Sequence, residues 1–267
     1  MPDMRIRRAA PADLPVLTRL WPAGFGELIE RFYRRFPPAK AAWVVEDGGC
    51  VVTAAHLLEG RLHTADGNVL PCAYVYAVST DPAHQGNGYA SALMRRFAMD
   101  ADVSGRVLYT LPAEASLYKW YQTVMGTTQT ARGERIRIAR QQTAGTLPNV
   151  TRISAPEYAV LRAQMLQGRA YAEPSAALLD FQADLCSMSG GALVHVGCGC
   201  AVVERDGDTL IIKELLDTAS AAQALLVAFD AQAARVCLQR QDGAQPMAAY
   251  RPFCRDTVDI FWGLYLD

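Results

Sequence analysis

The segment Val78-Ser79-Thr80-Asp81-Pro82-Ala83-His84-Gln85-Gly86-Asn87-Gly88-Tyr89-Ala90 constrains this chain more than any other stretch. It leaves a strand-like run, Cys72 to Thr80, rich in valine and tyrosine, and enters Tyr89 to Met99, where Ala92, Leu93, Arg96 and Phe97 fall in helical register. Glycines at 86 and 88 allow backbone conformations and a close approach that other residues resist. The unpaired amides of a helix start offer donors at the positive end of the dipole. Such a loop suits a pyrophosphate. One charge at a helix end is worth only about 0.3–1 kcal/mol, so several amides have to act together.

The elements around the loop give an α/β order. Arg5 to Arg8 reads as a strand, and Ala12 to Trp21 sets Leu14, Leu17, Leu20 and Trp21 at helical spacing behind Pro11. Leu28 to Phe36 is predicted as a helix stopped by Pro37 and Pro38, because proline lacks the amide donor and restricts its predecessor. Strands are predicted over Ala42 to Glu46, Cys50 to Leu58 and Cys72 to Thr80, with turns at Asp47-Gly48-Gly49 and Asp66-Gly67-Asn68. Past the loop come a strand at Arg106 to Leu111, a helix at Ala115 to Met125 and a strand at Glu134 to Ile138. Polar Gln141 to Pro148 is the expected linker, separating a domain at 1–140 from one at 150–267. The second half repeats the order: helices at Pro156 to Leu166 and Ser175 to Met188, strands at Leu193 to Val196, Ala201 to Glu204 and Thr209 to Leu215, a helix at Ala219 to Ala231 and a strand at Arg235 to Gln239.

Composition narrows the function classes. The 267 residues suffice for two packed cores. With 26 basic and 27 acidic residues spread along the chain, net charge −1, no basic patch stands ready for nucleic acid. The partners expected are a small molecule or peptide, with no nucleic acid and no membrane, since no window approaches the roughly 20 apolar residues of a membrane helix. Cytoplasm is the expected location. A homodimer is compatible with the sequence, although nothing in it specifies an interface. The seven cysteines lack the paired spacing of a metal site, so no metal is expected; Cys198 and Cys200 read as buried thiols on one strand face.

Gln85-Gly86-Asn87-Gly88-Tyr89-Ala90 resembles the Q/R-x-x-G-x-G/A signature of the GNAT acetyltransferases, in the strand-loop-helix position that the family uses. The resemblance implies a GNAT fold, α/β with a central mixed, mostly antiparallel sheet flanked by helices, over 1–140, and a second, smaller, degenerate GNAT-like domain over 150–267. It implies acetyl-CoA as co-substrate and an amine-bearing acceptor. The backbone of Val78, Ser79 and Thr80 would pair with the pantetheine arm and polarise the thioester carbonyl. Gln85, Gly86, Asn87, Gly88, Tyr89 and Ala90 would hold the pyrophosphate. A second segment, Leu117-Tyr118-Lys119-Trp120-Tyr121-Gln122-Thr123-Val124-Met125-Gly126, resembles the L-Y-x-x-Y-x-x-x-G-F ending of many members. It makes Tyr121 the candidate acid and Tyr118 the second. Four residues separate Tyr121 from Gly126 where three are usual, and Thr127 stands in place of the aromatic.

The base is less evident, because Cys72 to Thr80 holds no carboxylate where several members place a glutamate. His84 reads as an exposed turn histidine. The final run Phe261-Trp262-Gly263-Leu264-Tyr265-Leu266-Asp267 resembles the larger "enhanced intracellular survival" acetyltransferases, in which the terminal carboxylate reaches the active site; the resemblance gives that part to Asp267. The second half has no such signature after a strand, so no coenzyme is expected there. Its strands carry Glu204 and Glu214, which read as cleft-facing or solvated edge carboxylates. Two functions stay open: transfer of acetyl to a primary amine, and acyl-CoA binding without turnover by a sensor or scaffold. A nicotinamide dinucleotide enzyme is disfavoured, since Gly86-Asn87-Gly88 lacks the third glycine position and Leu108 to Leu111 supplies no acidic residue.

Overall fold

The computed structural model describes residues 4–21, 25–142, 145–217, 219–239, 243, 245–251 and 260–263. The chain forms two compact units, one of residues 1–62, 69–130 and 248–258, the other of 63–68, 131–247 and 259–267.

In the first unit, β1 (Arg5–Arg8) is followed by α1 (Leu14–Leu20), α2 (Gly26–Arg35) and α3 (Pro38–Ala41), then by β2 (Ala42–Asp47), β3 (Cys50–His63) and β4 (Val69–Thr80). The loop leads into α4 (Tyr89–Ser104), β5 (Val107–Thr110) and α5 (Ala115–Met125). Strands lie in the order β1-β2-β3-β4-β5, antiparallel at β1/β2 and β2/β3 and parallel at β4/β5. A βαβ step through α4 supplies the parallel pair, the one connection that a two-residue turn cannot make. The proline pair expected to stop the second helix does so, and Pro38 then opens α3, because proline is tolerated where the amide would be unpaired anyway. One face of the sheet packs Val45, Ala55, Ala73 and Val75 against Leu93, Met94 and Phe97 of α4 and Val124 and Met125 of α5. Gly105 and Gly126, both at left-handed φ, end those two helices.

The second unit contains β6 (Gln129–Ala139), which begins at the boundary, β7 (Val150–Arg152), α6 (Ala155–Met165), β8 (Tyr171–Pro174), α7 (Ala176–Ser189), β9 (Ala192–Val196), β10 (Gly199–Asp206), β11 (Thr209–Leu216), α8 (Ala219–Ala228) and β12 (Ala233–Gln239). Its strands run β6-β12-β11-β10-β9-β7, parallel at β11/β12 and antiparallel at β6/β12, β10/β11, β9/β10 and β7/β9. Ser154 accepts from the Glu157 amide while Glu157 reaches back to the Ser154 amide, a reciprocal cap that fixes the start of α6. The last strand, β13 (Gln245–Arg251), returns to the first unit, where Ala249, Tyr250 and Arg251 pair antiparallel with Thr110, Tyr109 and Leu108.

Two sequence expectations change here. Cys198 sits exposed in the turn between β9 and β10, and only Cys200 is buried, because the hairpin turns one residue before the thiols would share a strand face. Glu214 is neither an edge nor a cleft carboxylate. It is 1% exposed and receives Arg162 Nε at 2.8 Å and the Tyr158 hydroxyl, while Arg162 Nη1 donates to the Ala172 carbonyl at 2.7 Å. Glu214→Ala would leave Arg162 charged, buried and unpaired. A loss of about 3–5 kcal/mol is expected in denaturant unfolding; a loss under about 1 kcal/mol would show the pair to be dispensable.

Candidate active site

The site grows from the place where β4 and β5 part. Their parallel register runs Cys72↔Val107, Ala73↔Leu108 and Tyr74↔Tyr109, the last two rings stacked at 4.9 Å, and then stops. β4 continues for six residues beyond Tyr74, so its edge on the β5 side carries backbone groups that a sheet neighbour no longer uses. The Thr110 hydroxyl donates to the Val75 carbonyl at 3.0 Å and closes the apex of the opening.

Within the freed stretch, Ala77 has φ +47, an unfavourable conformation for a residue with a Cβ, costing on the order of 1–2 kcal/mol. The core contacts record what it does. Ala73 and Val75 face α4 and α5 by strict alternation, yet the next residue packed on that side is Val78 rather than Ala77. One extra residue is absorbed at the kink, which re-aims the amides and carbonyls of Val78, Ser79 and Thr80. Nothing in the sequence marks Ala77, since a left-handed position ordinarily advertises itself with glycine or asparagine.

The loop that follows is built on its own hydrogen bonds. Asp81 caps the short turn Pro82–His84 by accepting from the Ala83 amide at 3.0 Å, and that contact holds its carboxyl below the usual carboxylate range. The Gln85 side chain donates to the Thr80 carbonyl at 3.3 Å and the Asn87 side chain to the His84 carbonyl at 3.1 Å. Gly86 and Gly88 take φ of +79 and +81 with no heavy atom within 4 Å of where a Cβ would stand. Their glycines therefore answer to backbone conformation and to open space above the loop. Gly88 is the N-cap of the 16-residue α4 and supplies no capping side chain, so the first-turn amides face outward. Buried Tyr89 anchors the turn by donating its hydroxyl to Asp47. His84 lies half-exposed, 3.5 Å from Asp81.

Tyr121 is 6% exposed, in the core between sheet and helices, with the Thr110 side chain acting on its hydroxyl. Burial pushes its pKa up, and the Thr110 contact offsets part of that. Since Thr110 seals the apex, its contact with Tyr121 sets the phenol near the point where the strands separate. Tyr118, one turn earlier, is half-buried. Asp267 lies outside the described residues.

The other face of β3 and β4 carries a group that the sequence did not single out. His56 is 1% exposed, and its Nε2 lies 3.1 Å from the Tyr33 hydroxyl, which accepts from Trp21 Nε1 at 3.2 Å. Desolvation holds its pKa down to about 4, against an upward pull from the backbone at Tyr76 and Ala77. A histidine among aromatic residues in a strand pattern has no motif, which is why it passed unnoticed.

Comparisons with known proteins bear on the fold. Residues 5–123 match the family model described as an acetyltransferase (GNAT) domain. A GCN5-related N-acetyltransferase from Kribbella flavida is similar at 17% identity and a TM-score of 0.67, over 94% of this chain and 72% of that one. Eis1 from Mycobacterium abscessus is similar at 13% identity and a TM-score of 0.63, over 94% and 73%. A putative acetyltransferase from Pyrococcus horikoshii matches at 14% and 0.63 over 99% of this chain and 95% of its own. At such identities the likeness is one of fold. No curated protein matches the sequence. Among the described residues no helix is long and apolar enough to cross a membrane.

The depressed pKa of His56 carries a pH dependence. The folded ring stays neutral down to about pH 4, whereas an unfolded histidine takes a proton near about 6.5. Below about 6.5 the unfolded state binds the extra proton, so stability falls as pH drops from about 6.5 through 4, by up to about 3 kcal/mol. Urea unfolding from pH 8 to 4 should show this slope in the wild type and lose it in His56→Asn. An identical slope in both would remove His56 as its source.

Proposed function

We propose that the chain transfers an acetyl group from acetyl-CoA to a primary amine on a small molecule or peptide. The observation that carries the reading is the run of one strand, Val75 to Thr80, that loses its parallel neighbour, kinks at Ala77 and feeds an uncapped helix start through two left-handed glycines. The free edge matches an amide-bearing pantetheine arm, which pairs with a strand as a peptide would. The exposed Gln85-Gly86-Asn87-Gly88 loop with the Tyr89 and Ala90 amides matches a pyrophosphate. Backbone donors of Val78, Ser79 and Thr80, fixed before substrate arrives, would stabilise the charge that develops on the thioester oxygen.

Proton traffic follows from the pKa values. A lysine-like amine, near about 10.4, attacks only after losing a proton, and the departing thiol, near about 8.5, leaves more readily when a donor stands beside it. Tyr121 keeps its proton through the neutral range and reaches the apex where the strand pair opens, so we assign it the acid. No carboxylate stands on β4. The Asp267 carboxylate is our assignment for the base side, carried by the resemblance alone.

The second half, 150–267, we read as a degenerate unit of the same kind that binds no coenzyme. Three antiparallel strands, a helix and a parallel strand recur there as β9 to β12, and the β11/β12 pairing ends at Ile212↔Val236 while β11 runs on to Leu216. Only residues 217–218 join β11 to α8, where β4 and α4 are joined by 81–88. The Asp217 carboxylate accepts from the Cys198 and Gly199 amides at 3.0 Å each, which sets a negative charge near the start of α8 and opposes an anion.

Calorimetry with acetyl-CoA, followed by thiol release against a panel of amines, tests the proposal. Wild type is expected to bind, Gly88→Glu to lose binding, and Tyr121→Phe to keep binding with turnover reduced about 10²-fold or more. Asp267→Asn is expected to keep binding and lower turnover, which tests its carboxylate as the base. Binding without turnover on any amine would favour the sensor, and no binding at millimolar acetyl-CoA would end the enzyme reading.

A further inference from the structure

On the side of the sheet away from α4 and α5, the opening between β4 and β5 is bordered by aromatic rings. Resting on the acetyl-transfer reading, we propose that three of them, Trp21, Phe25 and Tyr76, form the acceptor site, and that they select a singly charged amine on an aromatic body rather than a polyamine or an aminosugar.

Strand alternation decides the side. Ala73 and Val75 point to α4 and α5, where Leu93, Met94, Phe97, Val124 and Met125 fill the space and are at most 4% exposed. Tyr74 and Tyr76 therefore point the other way. Tyr74 is buried and stacked on Tyr109, whereas every residue from Tyr76 to Thr80 is half-buried. The start of α4 belongs to the first side. A coenzyme held there brings its acyl end to the opening, and the amine has the second side from which to arrive.

Two properties of that side define what it takes. The first is its surface. Trp21 Nε1, the Tyr33 hydroxyl and His56 Nε2 engage one another, at 3.2 and 3.1 Å, and Tyr33 and His56 are buried beneath. What is turned toward the opening is ring. Trp21, at the end of α1, meets the Tyr76 ring at 5.9 Å and the Phe25 ring, at the start of α2, at 6.3 Å, both edge to face. Phe25 is 42% exposed while Trp21 and Tyr76 are half-buried, so the three run from solvent to the residue before the kink. An aromatic body extends that row through the contacts its members already make with one another. The second property is charge. α2 carries Glu27 and Glu30 against Arg31, Arg34 and Arg35, and Glu27 is already paired with Arg31 at 2.7 Å. β4 carries no carboxylate. One ammonium can rest over a ring face. Each further one would leave water beside a net basic helix with no carboxylate on the strand to meet it.

Phenethylamine, spermidine and an aminoglycoside are the probes. Calorimetry on the full-length chain saturated with CoA reads acceptor binding without turnover, at about 0.15 M salt so that loose charge attraction is screened; acetyl transfer to the same three amines follows. Phenethylamine is expected to bind about tenfold or more tightly than the other two and to show the highest kcat/KM. Phe25 is exposed, so its substitution tests the site without opening the core. Phe25→Ala should raise KM for phenethylamine about tenfold, with kcat and the affinity for acetyl-CoA moving less than about threefold. Phe25→Asp, which sets a carboxylate at the end of the row, should turn the preference toward spermidine. Spermidine or the aminoglycoside bound or acetylated as well as phenethylamine overturns the aromatic site and leaves the transferase reading standing. An unchanged phenethylamine affinity and KM in Phe25→Ala, or no binding of phenethylamine to the CoA complex, overturns it too. Phenethylamine that binds with the expected preference, loses affinity in Phe25→Ala and is never acetylated keeps the site and removes the transferase reading instead.

Discussion

The first unit depends on a sheet that is deliberately left incomplete. Parallel pairing between β4 and β5 lasts three residues, and the Thr110–Val75 hydrogen bond marks its end. Everything with chemical potential is arranged around that end: the free strand edge, the kink, the loop and the Tyr121 hydroxyl. Opening a sheet is costly, because each buried unpaired backbone group forfeits a hydrogen bond. The core offsets this from behind, with Leu93, Met94 and Phe97 of α4 and Val124 and Met125 of α5 all buried against the same sheet face. A rigid backing is what allows an edge to stay open without collapsing into a regular ladder.

Local rules carried much of the architecture and stopped where long-range contacts decide. The strand-loop-helix at 72–99 was legible because valine-rich alternation, two glycines and a helical stripe follow one another in the order the backbone demands. α5 was legible to the residue, since Ala115 and Gly126 bracket an unbroken helical pattern. β13 was not, because Gln245 to Arg251 has meaning only beside β5, over a hundred residues away in sequence. The kink at Ala77 was invisible for the opposite reason. It violates the local preference of its own residue, and only the shift of core contacts from Val75 to Val78 reveals it. His56 and Glu214 show the same limit: burial and partners gave each its character, and composition gives neither.

The site residues divide along that line. Gln85 to Ala90 could be read from sequence because their job is conformational and glycine writes conformation into the sequence. Tyr121 could be read only through a motif, since its hydroxyl gains meaning from Thr110, on a different strand. The motif's irregular spacing before Gly126 is accommodated without breaking the helix, because the left-handed cap at Gly126 ends α5 wherever it falls. What matters is the rotation of Tyr121 toward the sheet, and helical periodicity with Val124 and Met125 on the same buried face secures it.

The return of Ala249 to Arg251 shows why the first unit cannot be understood from its own contiguous sequence. β5 is only four residues long and pairs with β4 on one side for three of them. Without a partner on its other side it would be a short edge strand, poorly suited to fixing Thr110 and, through it, the Tyr121 hydroxyl. β13 supplies that partner, with Ala249 opposite Thr110 itself. Arg251 then ties the ends of both helices behind the sheet, donating to both Asp102 carboxylate oxygens on α4 and to the Met125 carbonyl at the end of α5. The Arg251–Asp102 pair is exposed enough to contribute little as an ion pair alone. Its value is geometric: one guanidinium sets α4, α5 and β5 in a single frame, and the opening between β4 and β5 inherits its shape from that frame.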